Sequence, residues 1–370
     1  MVSIAIRQSM RYSFIIPVYN RPEELQELLE SIMRQSLGDY EVIVVEDGST
    51  RTSEEVIQRF IPQIYSLYYY QIPNGGPSRA RNIGANYAKG DYIIILDSDV
   101  VLPEGYLLAV DKALSHGDID AFGGPDTASE DFTPIQKAIN YAMTSTLTTG
   151  GIRGGSADAM EQFKPRSFNL GCRRALFLQL GGFDVGMRFG EDIDFSLRLQ
   201  EAGARTVLIP EAYVYHKRRV DLRRFFKQVH NSGIARIHLE TRHPGSTRLV
   251  RCLPALFTIL SALVIAAWVG TRLFLRLRCI PCVLHSSALL SFVYSIAILS
   301  SIGMALLILL ALLFFIDAYQ KTKDTEVALW AVPACFIQLW GYGSGFVRAW
   351  WGKHILRRRE FIAFRNNFYD

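Results

Sequence analysis

Two carboxylates one residue apart, Asp97 and Asp99, follow the apolar run Tyr92-Ile93-Ile94-Ile95-Leu96. The run reads as a buried parallel strand, and open α/β sheets bind ligands at the carboxyl ends of such strands. Carboxylates spaced this way can hold a hard divalent cation, Mg2+ or Mn2+, against the phosphates of a nucleotide, because both cations prefer oxygen ligands. The tripeptide alone reads equally as a solvated turn, since Asp and Ser are ordinary turn formers. A second acidic pair, Glu191-Asp192, falls in the predicted first turn of a helix that runs through Leu199 to Ala202 and stops at Gly203. On position alone that pair caps the helix against its dipole.

The elements that must hold these groups alternate. Tyr12 to Val18 is predicted as a strand, followed by a helix with Pro22 in its first turn and Leu25, Leu28, Leu29, Ile32 and Met33 on one face. Residues 41–45 form a second strand, 53–60 a helix and 67–72 a third strand. A Gly-Gly-Pro turn and a helix over 78–88 precede the strand at 92–96. This alternation predicts a doubly wound, mostly parallel sheet with a nucleotide across its carboxyl ends. No GxGxxG follows the first strand, which argues against a dinucleotide-binding Rossmann enzyme. The stretch 121–210 is less regular and holds a glycine-rich segment at 150–155.

The 370 residues leave room for roughly two domains. Apolar residues dominate 252–351, whereas the first 216 residues mix charged and apolar types as a soluble domain does. Charge is uneven too. Between Lys217 and Arg251 ten basic residues face two acids, a local net of +8, so the remainder carries −3 of the total +5. A basic collar beside apolar segments suggests anionic lipid headgroups before nucleic acid, and no nucleic-acid recognition motif accompanies it. Residues 1–11 contain no apolar h-region and hence no secretory signal. The five cysteines suggest no disulfide framework, and Cys279-Ile-Pro-Cys282 reads as a loop in or near the membrane.

Three apolar segments follow the collar: 252–274, interrupted by Arg272; 283–316; and 327–351. The second is either one long tilted helix or a hairpin broken near Ser300-Ser301-Ile302-Gly303. Collar and tail (Lys353, Arg357, Arg358, Arg359, Arg365) are both basic, and the positive-inside rule puts both on the cytoplasmic side. Two crossings, with 252–274 in the interface or re-entrant, fit best; four also fit, and three fits the charges worst. The resulting organisation is 1–216 catalytic, 217–251 a membrane-surface collar, 252–352 transmembrane or interfacial helices and 353–370 a basic cytoplasmic tail.

With these pieces in order, residues 12–216 resemble the family 2 glycosyltransferases of the GT-A fold. The resemblance rests on Phe14-Ile-Ile-Pro-Val-Tyr-Asn20, Val44-Val-Glu-Asp-Gly-Ser49, Gly76-Pro-Ser-Arg-Ala-Arg-Asn82, Leu96-Asp-Ser-Asp99, Gly181-Gly-Phe-Asp184, Gly190-Glu-Asp-Ile-Asp194 and Tyr215-His216. It implies an α/β, Rossmann-like, mostly parallel nucleotide-sugar domain followed by an α-helical membrane module. Pro17 and Tyr19 then border the nucleobase and ribose, and Asp47 hydrogen-bonds the base, usually uracil. The family more often has Asp where this chain has Glu46. Arg81 reaches the nucleotide, as a guanidinium suits a diphosphate or a base edge. Asp97 and Asp99 become ribose and metal carboxylates, with Asp99 the direct ligand, and His216 approaches the metal or diphosphate.

The same resemblance makes Glu191-Asp192 the source of a catalytic base. One carboxylate takes the proton of an acceptor hydroxyl as its oxygen attacks the anomeric carbon. Asp192 is the assigned base and Glu191 the runner-up or an acceptor contact; Asp194 supports the helix. Asn169, Gly182 and Phe183 match the segments that shape the acceptor side. The implied activity is an inverting, Mg2+- or Mn2+-dependent transfer at the cytoplasmic face of the inner membrane by a multi-pass protein. Sugar would pass from a nucleotide diphosphate donor, a UDP-sugar first, to a lipid-linked or glycan acceptor. A polyprenyl-phosphate acceptor needs no base, so the acidic pair argues mildly against it. A processive synthase would carry QxxRW, and Gln228-Val-His-Asn-Ser232 lacks the Arg-Trp. A non-catalytic scaffold would be expected to lose carboxylates that are costly to cluster without a ligand.

Overall fold

The computed structural model describes residues 11–127, 132–149, 163–187, 189–216, 221–247, 249–276 and 287–357. Cys279, Cys282, Arg278 and the tail arginines Arg358, Arg359 and Arg365 lie outside these residues, as does the glycine-rich segment 150–155. The chain forms two compact units. One contains the described residues up to 127 together with 163–187 and 189–216; the other contains 132–149 and the described residues from 221 to 357.

In the first unit, β1 (Tyr12–Val18), β2 (Tyr40–Asp47), β3 (Leu67–Ile72) and β4 (Tyr92–Leu96) alternate with α1 (Pro22–Met33), α2 (Glu54–Phe60) and α3 (Pro77–Tyr87). Then come β5 (Val100–Val101), α4 (Tyr106–Ser115), β6 (Ala121–Gly123) and β7 (Asp126–Thr127). A seven-stranded sheet runs β3-β2-β1-β4, and then through β8 (Asn169–Arg173), β6 and β9 (Thr206–Leu208). β1 pairs parallel with β2 and β4, and β2 parallel with β3; β8 lies antiparallel between β4 and β6. Pleating sends Tyr12, Phe14, Ile16 and Val18 to a core with α1, α2 and α4, while Ile15 points to the opposite core. That second core includes α3, α7 (Arg174–Gln179) and α8 (Glu191–Glu201). A small sheet, β5-β10-β7, uses β10 (Val214–His216).

The second unit is helical: α5 (Pro134–Thr144), α6 (Thr146–Thr149), α9 (Leu222–Arg242), α10 (Leu253–Arg276), α11 (Ser287–Thr322) and α12 (Thr325–His354). Although α5 interrupts the α/β unit in sequence, its Ala138, Ile139 and Ala142 share a core with Phe225 and Val229 of α9, Phe314 of α11, and Val327 and Ala331 of α12. α11 is one continuous helix, so the hairpin reading of 283–316 is set aside. The Ser300 and Ser301 hydroxyls donate back to the Ala297 carbonyl at 3.2 and 2.6 Å, which satisfies them within the helix.

Among the described residues two helices are long and apolar enough to cross a membrane, spanning Leu249–Arg276 and Leu290–Thr322. This differs from the expected pattern, in which the segment at 252–274 lay in the interface and the one at 327–351 crossed. Leu256, Leu260 and Leu263 of α10 are exposed. By contrast, α12 buries Ala328, Ala331, Ala334, Cys335 and Leu339 in its own unit and carries Pro333 within it.

Candidate active site

Arg81 ties the two acidic motifs together. It is buried on α3, with Nη2 donating to Asp97 Oδ1 at 2.6 Å and Nη1 donating to Glu191 Oε1 at 3.1 Å. Asp97 ends β4 and Glu191 opens α8, so one guanidinium spans groups 94 positions apart in sequence. Its Cζ lies 5.5 Å from the centroid of the Phe183 ring, a cation–π contact. α8 begins sharply because Gly190 sits at φ +82°, a left-handed conformation that glycine adopts without steric cost.

The two acids of α8 are set apart electrostatically. Asp192 Oδ2 accepts from Arg166 Nε at 2.6 Å, and Oδ1 accepts from the Ile193 amide at 2.8 Å. Burial pushes the Asp192 carboxyl up, but the Arg166 charge and these hydrogen bonds outweigh it and hold the group below its usual range. Burial and the neighbouring Asp192 charge push Glu191 up to about 7, against the opposing pull of Arg81. Adjacent carboxylates thus have separated acidities, one fixed as an anion and one near neutrality.

Asp99 forms an ion pair with Arg21, the residue that precedes α1. Asp97 and Asp99 therefore each face an arginine. Among the described residues no group of three or more His, Cys, Asp or Glu side chains gathers to form a metal cage. Two hard carboxylates still fit Mg2+ or Mn2+, since such cations are commonly held by one or two carboxylates plus substrate phosphates. β10 runs antiparallel to β5 with His216 opposite Val100, which brings the backbone of His216 beside the Asp97–Asp99 segment. The His216 side chain lies outside the described set.

At the end of β2, Asp47 is fully buried and accepts from the Gly75 and Gly76 amides, both at 2.8 Å. It thereby fixes the loop that leads into α3 and Arg81. Glu46 does the same for the following turn, accepting from the Ser49 hydroxyl, the Ser53 amide (2.8 Å) and the Tyr69 hydroxyl (3.0 Å). Pro17 pairs with Val45 across the sheet, and half-buried Tyr19 follows β1 directly.

Asn169 is fully buried, its Oδ1 accepting from Tyr106 Oη at 2.6 Å and its Nδ2 donating to the Ala212 carbonyl at 2.8 Å. Its amide thereby ties β8 to α4 on one side and to the Ala212 backbone on the other. Phe183 packs against Phe177 and Phe195, and its backbone is clamped by Asn82, whose amide donates to the Phe183 carbonyl (2.7 Å) and accepts from the Phe183 N–H (2.9 Å). Arg198 holds the same turn by donating to the Leu180 and Gly182 carbonyls at 2.6 and 2.7 Å, while Asp194 anchors its guanidinium. Sequence reasoning missed Arg21, Arg166, Asn82 and Arg198 as partners. Arg21 and Asn82 lie inside or beside quoted motifs and could have been suspected. Arg166 carries no local signal, because it meets Asp192 only across 26 residues of chain.

Three comparisons bear on this geometry. The family description Glycosyl transferase family 2 matches residues 13–189. A pre-mycofactocin glycosyltransferase from Mycobacterium tuberculosis is 32% identical over 282 residues, covering 72% of this chain and 57% of that protein. An uncharacterized glycosyltransferase from Haemophilus influenzae is 31% identical over 214 residues, covering 55% of this chain and 67% of that one. The chain thus spans little more than half of the M. tuberculosis protein. Among solved structures, the mannosyltransferase PcManGT of Pyrobaculum calidifontis, in complex with GDP-Man and Mn2+, superposes with a TM-score of 0.54 at 16% identity. That likeness covers 93% of this chain and 88% of the other and is one of fold.

Proposed function

The chain belongs to glycosyl transferase family 2 and has the GT-A fold, and from that premise we propose that it transfers a sugar from a nucleotide diphosphate donor to an acceptor hydroxyl with inversion at the anomeric carbon. The observation that carries this reading is Arg81, which joins Asp97 to Glu191 and so unites a phosphate-side carboxylate with an acceptor-side acidic pair. In this reading Pro17, Tyr19 and Asp47 border the base and ribose, with a UDP-sugar the first candidate. Arg81 meets the donor beside Asp97. Asp99, with Asp97, would hold a divalent cation, and His216 belongs to the same end of the site. When bound, the cation would neutralise charge on the departing diphosphate. The Mn2+ and GDP-Man in the fold-related mannosyltransferase support a divalent cation and leave the base open to test.

On the acceptor side, the segment Gly182-Phe183 and the wall held by Asn169 orient the sugar acceptor. A carboxylate of the α8 pair then removes the hydroxyl proton. Asp192 is the primary assignment, kept anionic by Arg166. Glu191 is the second reading, favoured by its acidity near 7, where a general base works best. The presence of the pair favours a hydroxyl acceptor over a lipid phosphate, which is already ionised. The collar and the apolar helices α10 and α11 support action at the cytoplasmic face of a membrane on a lipid-linked or membrane-delivered acceptor.

The test is donor hydrolysis by detergent-purified protein, screened over UDP-, GDP- and dTDP-sugars with Mn2+ or Mg2+ and with EDTA. Release of one nucleotide that EDTA abolishes and Asp99→Ala eliminates is the expected result. Absence of turnover together with absence of any nucleotide-induced thermal shift would sink the transferase reading.

A further inference from the structure

Where α9, α12 and the start of α10 meet, an arginine is buried, and among the described residues no acid forms an ion pair with it. Arg236 of α9 is 9% exposed, and among the described residues neither its Nε nor its Nη1 has a hydrogen-bond partner. Its polar neighbour on α12 is the Tyr342 hydroxyl, which lies within electrostatic reach of the guanidinium. Arg251, immediately before α10, adds a second positive charge near the same hydroxyl. The acid one turn along α9 is engaged elsewhere. Glu240 accepts from the Gly245 and Thr247 amides, both at 2.7 Å, and closes the loop that follows α9.

The burial of Arg236 is imposed by close helix packing. A Cβ on Gly233 would lie 2.1 Å from the Tyr342 carbonyl oxygen, and one on Gly345 would lie 1.9 Å from the His230 carbonyl oxygen. Helices this close leave little room for bulk water around the guanidinium. A desolvated guanidinium with orphan N–H groups is costly unless an anion completes it, and phosphate suits its fork. Beside Arg251, Leu249, Val250 and Leu253 are all exposed apolar side chains, and the candidate span Leu249–Arg276 begins here. Apolar surface next to paired positive charge favours a ligand with both acyl chains and a phosphate.

We propose that Arg236, with Tyr342 and Arg251, holds the phosphate of an anionic lipid headgroup at the junction of α9, α12 and α10. The proposal rests on α10 lying in the bilayer and is independent of the transferase reading. Flotation of the full chain with vesicles checks the bilayer premise separately.

The experiment measures thermal unfolding of the delipidated full-length protein in neutral detergent with three additives: phosphatidylglycerol, diacylglycerol of the same acyl chains, and inorganic phosphate. Phosphatidylglycerol alone should raise the midpoint. Arg236→Met should weaken that response roughly tenfold or more. It should leave the lipid-free midpoint at or above wild type, because the orphan N–H groups are gone. Arg236→Lys should retain part of the response, keeping the charge but losing the fork. A purely structural arginine predicts the reverse, a lower lipid-free midpoint in Arg236→Met with unchanged lipid response, and that result overturns the proposal. An equal response to diacylglycerol overturns it as well. A full response to inorganic phosphate overturns the lipid source.

Discussion

Arg81 and Arg236 are both buried arginines, and the two units treat them differently. In the α/β unit, Arg81 bonds two carboxylates, Arg21 faces Asp99 and Arg166 faces Asp192. In the helical unit, Arg236 lies beside a tyrosine hydroxyl and, among the described residues, forms no ion pair with an acid. The first unit answers charge with charge, so its buried arginines and carboxylates are already paired, and a ligand meeting them would have to exchange partners rather than create them. The second unit achieves close packing through glycines and leaves a cation incompletely paired. One region is preorganised by electrostatics and the other by shape.

The largest expected effect probes the paired acids. Glu191→Gln and Asp192→Asn are each expected to lower kcat, and the true base should cost on the order of 10² to 10⁴-fold. A base must be ionised, so if Glu191 serves, the wild-type rate falls as pH drops through about 7. Asp192→Asn then removes the negative neighbour that raises Glu191, and the acid limb of its residual activity moves to lower pH. If Asp192 serves, no limb near 7 is seen, and the pH profiles of kcat/KM decide between them.

Next in size is the comparison of the two arginines. Arg81→Met leaves Asp97 and Glu191 facing each other without a counterion and should cost about 3–5 kcal/mol in a denaturant titration. Arg236→Met, measured without lipid, should cost nothing. Equal losses in the two variants would break the contrast. Smaller again is Gly233→Ala, whose new methyl would meet backbone at 2.1 Å. It should lower stability by about 1–3 kcal/mol through overpacking, read as a drop in Tm. The smallest effect is Arg51→Ala. Arg51 pairs with Glu23 at a site where both side chains are more than half exposed, so the change should stay within about 1 kcal/mol.

Sequence alone determined the alternation of strands and helices in the first unit. β1, β3 and β4 fall on the predicted residues, because continuous apolar runs bounded by turn residues have few alternative structures. It also determined the order of the motifs and the uneven charge, which depend on chain position and not on folding. Only the tertiary structure decided who meets whom. The insertion of β8 antiparallel between β4 and β6, the packing of α5 with α9 and α12, and the contacts of Arg21 with Asp99 and Arg166 with Asp192 join residues distant in the chain. The same holds for the apolar segments. Hydropathy marks three apolar stretches, but whether a stretch faces its neighbours, as much of α12 does, or presents leucines outward, as α10 does, follows from what packs against it. Local pattern records the burial a segment can tolerate, and long-range packing decides which surfaces provide it.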